Sequence, residues 1–238
     1  WSPTTIPGIA LVDPVTGAVT GTGLGSGMIT YTLSTGCAST HPVTVNPIPV
    51  GTTGPIQICE GNTAIYSNAT PGGTWSSSDT TIATINTTSG LLTAISGGVV
   101  TVTYTLGSGC NAMFTVTVNG LPGTISGPNQ VCEGSTIVLT TTSTTGLWSS
   151  ADPGVANAGA LTGVITGMSA MTPGVMGTGV TLITYTLPTG CFRTHEVTVN
   201  PLPNIIVGNS DVCVGDVALY TCATPGGGWV SSNPAQGT

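Results

Sequence analysis

One eight-residue phrase occurs three times in this chain, as TYTLSTGC at residues 30–37, TYTLGSGC at 103–110 and TYTLPTGC at 184–191. In each copy, Thr alternates with Tyr and Leu, and the phrase ends in Gly-Cys. Alternation with a period of two predicts a β-strand that has one apolar face and one polar face. The Gly predicts that a turn follows the strand.

The phrase belongs to a longer repeat. A valine-rich run and then a second cysteine motif follow each copy, and their order is constant: VTVNPIP (43–49), VTVNGLP (116–122) and VTVNPLP (197–203), then ICEGN (58–62), VCEGS (131–135) and VCVGD (212–216). Tryptophans stand at positions 1, 75, 148 and 229, so the repeat is 73 to 81 residues long. This period is too long for a solenoid repeat and fits a small domain.

The composition of each repeat predicts an all-β protein. Runs such as TVTYTL (101–106), FTVTV (114–118) and TIVLTTT (136–142) are rich in Val, Ile, Thr and Tyr, and Gly, Pro, Ser and Asn bound them. No segment shows helical periodicity. We therefore expect tandem immunoglobulin-like antiparallel β-sandwich domains in a head-to-tail array. One large aromatic residue per domain predicts the core tryptophans Trp1, Trp75, Trp148 and Trp229.

The third repeat illustrates the expected strands. By analogy with a sandwich, we assign strand A to 124–131, B to 135–142, C to the run from Trp148, D and E to 150–178, F to 180–187 and G to 193–199. The phrases VCEGSTIVLT (131–140), GLWSS (146–150), TYTLPTGC and VTVNPLP resemble the bacterial immunoglobulin-like (Big/PKD-like) tandem repeats of secreted Bacteroidota-type surface adhesins. The resemblance covers essentially the whole chain. It implies export, a cell-surface or extracellular location, and a structural or adhesive role.

The proline-containing linkers predict the domain boundaries. Complete domains are expected at 48–121 and 122–202. Residues 1–47 correspond to strands C to G of another domain, and residues 203–238 correspond to A, B and the start of C. An isolated half-sandwich would expose its apolar face, so something must complete each of these pieces. Two interpretations stay open: the next copy of the chain supplies the complement, or the sequence is a window on a longer tandem array.

Charge excludes several classes of partner. The chain contains a single basic residue, Arg193, against eight acidic residues. Binding to nucleic acid or to an anionic membrane surface needs several cations, so neither is expected. No apolar run is long enough to insert into a membrane. A surface with so little charge is poorly protected against self-association. Three explanations stay open: the surface is buried in an assembly of copies of itself, it carries a glycan coat, or the protein tolerates self-association.

Seven cysteines occur, and six of them are repeat positions: Cys37, Cys59, Cys110, Cys132, Cys191 and Cys213. In a secreted chain these six predict disulfides. Equal loop lengths favour pairing within a domain, Cys59 with Cys110 and Cys132 with Cys191, and then Cys213 with Cys37 of the next copy. Strand geometry opposes this, because a six-residue strand spans about 20 Å and would separate the partners.

The alternative is a bond between Cys59 and Cys191 that staples one domain to the next. The sequence does not separate the two schemes. Cys222 is surplus to the repeat, and it is expected to be either a free thiol or a link specific to its own repeat.

No constellation of residues predicts an enzyme or a cofactor site. His41 and His195 occupy equivalent positions and are expected to be solvated strand residues. Zinc ligation by Cys191 and His195 is disfavoured because the middle repeat has Phe114 in the place of the histidine. Glu60, Glu133 and Asp216 are expected to be turn residues. We expect no metal.

Three short motifs predict glycosylation. DTT at 79–81 resembles the O-glycosylation motif of the suspected group, with Thr80 as acceptor, and NAT at 68–70 and NTT at 86–88 match the N-glycan sequon, with Asn68 and Asn86 as acceptors. A sugar coat would keep so uncharged a surface soluble.

The sequence thus predicts a secreted, non-catalytic filament or stalk. The alternative is a cell-surface adhesin that binds a host, carbohydrate or surface ligand, with 150–178 as the candidate binding region.

Overall fold

The strands predicted from the alternating phrases are present in the structure, a computed structural model that describes residues 8–168 and 179–232. The chain divides into two units, Trp1–Leu121 and Pro122–Thr238. The described residues form only strands, turns and irregular segments, so none of them contributes an apolar helix of membrane-spanning length.

The first unit begins with a four-stranded piece, which we call the N-terminal segment (residues 8–47). Its strands pair as two antiparallel hairpins. These strands are β1 (Ala10–Val12), β2 (Val19–Gly21), β3 (Gly25–Thr32) and β4 (Ala38–Val45).

A complete sandwich follows, which we call the first sandwich. One sheet has the order β5-β11-β10-β7, with β5 parallel to β11, and the other has the order β6-β9-β8. The seven strands correspond to A to G: β5 (Gln57–Cys59), β6 (Thr63–Ile65), β7 (Gly73–Ser77), β8 (Ala83–Ile85), β9 (Leu91–Ala94), β10 (Gly98–Leu106) and β11 (Asn111–Asn119).

The second unit contains the second sandwich, which repeats this topology. Its sheets have the orders β12-β18-β17-β14 and β13-β16-β15, and β12 is parallel to β18. The strands are β12 (Gln130–Cys132), β13 (Thr136–Val138), β14 (Leu147–Ser150), β15 (Ala156–Ala158), β16 (Val164–Gly167), β17 (Gly179–Thr186) and β18 (Phe192–Asn200). The remaining described residues of this unit, the C-terminal segment (203–232), contain β19 (Ile206–Val207) and β20 (Thr221–Cys222).

Alternation along the strands explains why each sandwich has one core. In β10, Val100, Val102 and Tyr104 are buried, and Thr101 and Thr103 between them are half-buried on the other face. Strand β17 follows the same pattern with Ile183 and Tyr185. The apolar faces of the two sheets in each sandwich pack against each other. The chain is therefore an all-β, tandem immunoglobulin-like array, as the repeat predicts.

Candidate functional site

The Tyr of the repeated phrase closes a turn in each sandwich. In the first sandwich the ring of Tyr104 packs on Trp75 with 4.7 Å between ring centroids. Its hydroxyl donates a hydrogen bond to Thr70 O and accepts one from Gly73 N, both at 2.8 Å. The phrase therefore supplies a core aromatic and, with the same side chain, satisfies two backbone groups of the connection that leads into β7.

The second sandwich repeats this contact with different neighbours. Tyr185 packs on Trp148 at 4.8 Å, its hydroxyl donates to Ser143 O, and Gly146 N donates to that hydroxyl. The connection that contains Ser143 reads STTGLW, whereas the first sandwich has TPGGTW. The interaction is thus preserved although the sequence of the turn changes.

The glycine two residues before each tryptophan is part of this contact, and the sequence analysis missed it. A Cβ atom on Gly73 would lie 2.5 Å from the Tyr104 ring, and one on Gly146 would lie 2.6 Å from the Tyr185 ring. Only a residue without a side chain lets the hydroxyl reach the backbone N–H. The sequence feature that could have identified this glycine is its constant position two residues before the tryptophan.

The four predicted core tryptophans have different environments. Trp75 and Trp148 are buried in the first and second cores. Trp229, in the C-terminal segment, is exposed and does not lie in a core. Trp1 lies outside the described residues.

Each sandwich has two distinct ends, which we name by the chain segments they carry. The exit end is where the last strand finishes: Glu60 N donates to Asn119 O in the first sandwich, and Glu133 N donates to Asn200 O in the second. These glutamates follow the cysteines of the CEG motif. These two hydrogen bonds place the CEG motif beside the last residue of the last strand, where the chain leaves the sandwich.

The turn end is where the phrase ends and the last strand starts. Leu106 N donates to Cys110 O across the β10–β11 turn, and Cys110 Sγ lies 3.8 Å from Asn46 O, which immediately precedes the proline linker. In the second sandwich Arg193 Nε donates to Pro122 O at 2.6 Å. The sole basic residue of the chain therefore binds the linker that enters its own sandwich.

The cysteines fall into two groups. Cys59 and Cys191 are disulfide-bonded, and the free thiols are Cys37, Cys110, Cys132, Cys213 and Cys222. The within-domain pairings Cys59–Cys110 and Cys132–Cys191, and the pairing of Cys213 with Cys37, are not present in this structure. A bond between Cys59 and Cys191 stays a prediction. The surplus Cys222 is half-buried, and its thiol donates to Asn204 O.

The two histidines differ from each other, which corrects the expectation that both are solvated. His41 is exposed. His195 is half-buried, and among the described residues its Nε2 atom is buried without a hydrogen-bond partner. It occupies the position of Phe114, which packs 5.7 Å from the ring of Tyr66 in the first sandwich. Within residues 8–168 and 179–232 no group of three or more His, Cys, Asp or Glu side chains could hold a metal ion.

The glycosylation candidates lie in turns. Thr80 and Asn86 are exposed. Asn68 is half-buried, and its amide nitrogen donates to Thr52 Oγ1 at 2.6 Å, so the third candidate already uses the atom that a glycan would modify. The adhesin candidate region 150–178 is described only as far as residue 168, and 169–178 lie outside the described residues.

No protein-family model and no curated sequence matches the chain. Among solved structures, it is similar to the C-terminal 282-residue fragment of intimin, solved in complex with the intimin-binding domain of the translocated intimin receptor. That likeness has a TM-score of 0.45 and 15% identity over 68% of this chain and 67% of that one.

Two further structures are similar at lower scores. For domains 1–6 of the surface layer protein SbsC the TM-score is 0.28, with 13% identity over 90% of this chain and 45% of that one. For Drosophila N-cadherin EC1-4 the TM-score is 0.29, with 12% identity over 84% and 66%. Likenesses at these scores assign neither a function nor a partner to this chain.

Proposed function

We propose that the chain is part of an extracellular, non-catalytic filament or stalk of tandem Ig-like domains, secreted to a bacterial cell surface, whose main partners are copies of the same repeat. The observation that carries the proposal is the exposure of core-type residues in the C-terminal segment.

The C-terminal segment has the local structure of the start of a sandwich. Tyr220 OH donates to Asn209 O as Tyr66 OH donates to Pro55 O, eleven residues earlier in each case. Asn204 N donates to Thr224 Oγ1 as Val50 N donates to Thr70 Oγ1. The segment therefore corresponds to strands A and B.

Its apolar residues are nevertheless uncovered. Val212, Tyr220 and Trp229 are 55%, 41% and 59% exposed, whereas the residues at the same repeat positions in the second sandwich, Val131, Leu139 and Trp148, are 4%, 1% and 6% exposed. Fully burying one such side chain contributes about 1.5 to 3 kcal/mol, so covering these three would stabilise the segment by several kcal/mol.

The N-terminal segment supplies the complementary strands. The β3–β4 hairpin has the same register as β10–β11, with Gly25 opposite Val45 as Gly98 is opposite Val118. Its first turn, in which Asp13 Oδ1 accepts from Val15 N and Thr16 N, matches the turn at Asn86. The described part of the segment thus corresponds to strands D to G, and it contains no counterpart of strands A to C.

Composition supports the same function. With one basic and eight acidic residues in 238, the surface has few charges to oppose close approach of identical domains. An assembly that buries the end segments, a glycan coat, or both would keep such a chain in solution.

Sedimentation velocity and negative-stain electron microscopy of the full chain test the proposal. We expect end-to-end species that grow with concentration. Val212→Asp should abolish them, because it places a charge at a core position. The matched control is Val214→Asp, since Val214 takes the position of Glu60 and Glu133 and is fully exposed. A single 23.4-kDa species at all concentrations, or equal loss with both variants, would refute the proposal.

A ligand-binding adhesin is the second candidate. Leu147 and Phe192 both pair with Thr186 across one sheet of the second sandwich, and both are more than half exposed, which gives that sheet an uncovered apolar face. Saturable binding of the full chain to a glycan or host-cell surface, reduced by Phe192→Ser, would favour this function over the filament.

A further inference from the structure

The recurring cysteines of a sandwich lie at its opposite ends. Cys59 is the last residue of β5 and pairs in parallel register with Asn119, the last residue of β11. Cys110 directly precedes Asn111, the first residue of β11. The nine residues of β11 therefore separate the two levels by about 27 Å. A disulfide requires Cα atoms within about 7 Å, so these cysteines cannot bond to each other inside a folded sandwich.

The second sandwich has the same arrangement. Cys132 pairs with Asn200 at the end of β18, and Cys191 directly precedes Phe192 at its start. We call Cys59 and Cys132 exit cysteines, and Cys110 and Cys191 turn cysteines. Of the two disulfide-bonded cysteines, Cys59 and Cys191, one belongs to each class.

Backbone hydrogen bonds assign the cysteines of the end segments to the same classes. Leu33 N donates to Cys37 O at 2.8 Å, the same bond as Leu106 N to Cys110 O, so Cys37 is a turn cysteine. Asp216 N donates to Cys213 O at 3.0 Å, the same bond as Ser135 N to Cys132 O, so Cys213 is an exit cysteine.

Each class lies beside a different linker. The turn cysteines are close to the linker that enters the sandwich, as the contact of Cys110 Sγ with Asn46 O shows. The exit cysteines are level with the residue from which the chain leaves. An assembly in which the exit end of one domain meets the turn end of the next would therefore bring an exit cysteine opposite a turn cysteine.

We propose that two copies of this chain are joined by disulfides from an exit cysteine of one copy to a turn cysteine of the next, Cys132 to Cys37 and Cys213 to Cys110. The inference rests on the proposed tandem assembly. The next copy's N-terminal segment, completing the sandwich started by residues 203–232, brings its Cys37 to the exit end of the second sandwich. Its first sandwich then follows the completed domain and brings Cys110 to Cys213.

The four cysteines are chemically available for this reaction. All are free thiols; Cys37, Cys132 and Cys213 are exposed and Cys110 is half-buried. Oxidised glutathione, or a disulfide carrier of the same class, is the oxidant. The thiolate of Cys132 attacks its disulfide and releases one reduced thiol; the thiolate of Cys37 then attacks the mixed disulfide and releases the second. Two protons and two electrons leave the protein for each bond formed.

The test uses the full chain as an equimolar mixture of unlabelled and ¹⁵N-labelled copies in a glutathione redox buffer. Non-reducing peptide mass spectrometry should find Cys132–Cys37 and Cys213–Cys110 peptides that combine both isotopes, and a non-reducing gel should show a ladder that collapses to one band on reduction. Pairs confined to one isotope, or pairs formed at random with Cys222, would overturn the proposal.

Two variants keep the result interpretable. Cys132→Ser/Cys213→Ser should abolish the ladder, and Cys222→Ser should retain it, with circular dichroism confirming that both are folded. If micrographs show fibres although no ladder forms, the proposed disulfides are refuted and the tandem assembly is supported. If neither fibres nor mixed-isotope peptides form, both fail.

Discussion

The Tyr–Trp contact gives a sharp prediction for the replacement Tyr104→Phe. The variant keeps the aromatic ring on Trp75 and removes only the hydroxyl, which bonds to Thr70 O and Gly73 N. A net hydrogen bond is worth about 0.5 to 1.5 kcal/mol, and a buried group left without a partner costs about 1 to 3 kcal/mol. We expect the free energy of unfolding of the first sandwich to fall by about 2 kcal/mol.

Hydrogen exchange by mass spectrometry measures this loss for each sandwich separately. Peptides from β10 and β11 report on the first sandwich, and peptides from β17 and β18 report on the second. Tyr104→Phe should accelerate exchange about 30-fold in the first group and leave the second unchanged, because 1.4 kcal/mol corresponds to a factor of ten in the opening equilibrium. Tyr185→Phe should reverse the pattern.

Tyr220→Phe is the control for the chemical change itself. It removes a hydroxyl that also donates to a backbone carbonyl, Asn209 O, but outside the two sandwiches. We expect exchange in both sandwiches to stay within a factor of about two of the unchanged chain. An effect of Tyr104→Phe no larger than this would refute the structural role assigned to the repeated phrase.

Three further changes test other parts of the structure. Burial raises the pKa of Tyr66 to about 12 from 10.0, so the unfolded state loses this proton at a lower pH than the folded state does. As the pH rises from 10 to 12, the free energy of unfolding of the first sandwich should therefore fall by up to roughly 2 to 3 kcal/mol in urea titrations. The second sandwich has Leu139 at this position and should not show that loss. Gly90→Ala should lower the free energy of unfolding, measured thermally, by about 3 kcal/mol or more, because φ at Gly90 is +69° and the new Cβ would collide with Tyr66 O. Gly72→Ala is the control: φ is also positive there but the Cβ would meet no other atom, so the loss should be about 1 to 2 kcal/mol. Asn86→Gln should lower the intact mass of protein purified from its source by one glycan.

The strands were predictable because their signal is local. Thr and Val alternate through β10 and β17, and an alternating run with Gly or Pro at its ends has few other ways to bury its apolar side. The same locality predicted one core per repeat. The Tyr–Gly contact was not predicted, because it joins residues 31 positions apart in the first sandwich and 39 in the second, and their relation depends on how β7 pairs with β10 and β14 with β17.

Burial of a given repeat position was only partly predictable, since it depends on strands far away in the sequence. Trp75 and Trp229 follow nearly identical phrases, yet among the described residues only Trp75 has a long strand such as β10 beside it and a second sheet over it. His195 and His41 likewise share one position. His195 lies in a complete sandwich, where its imidazole takes the place of Phe114. The described part of the N-terminal segment has no counterpart of the strand B region whose Tyr66 packs on Phe114, and His41 is exposed.

The cysteines show why sequence separation alone was insufficient. The within-domain pairs are separated by similar numbers of residues, 110 − 59 = 51 and 191 − 132 = 59, and this favours a bond inside each domain, because the entropy of closing a loop depends on the number of residues in it. The position of Cys59 depends instead on a choice that the sequence does not display: β5 pairs in parallel with β11 and therefore finishes where β11 finishes. That single pairing places one cysteine at the exit end while the phrase places the other at the turn end. The same separation holds for each sandwich that keeps both motifs, so the two recurring cysteines of one sandwich are too far apart to bond to each other.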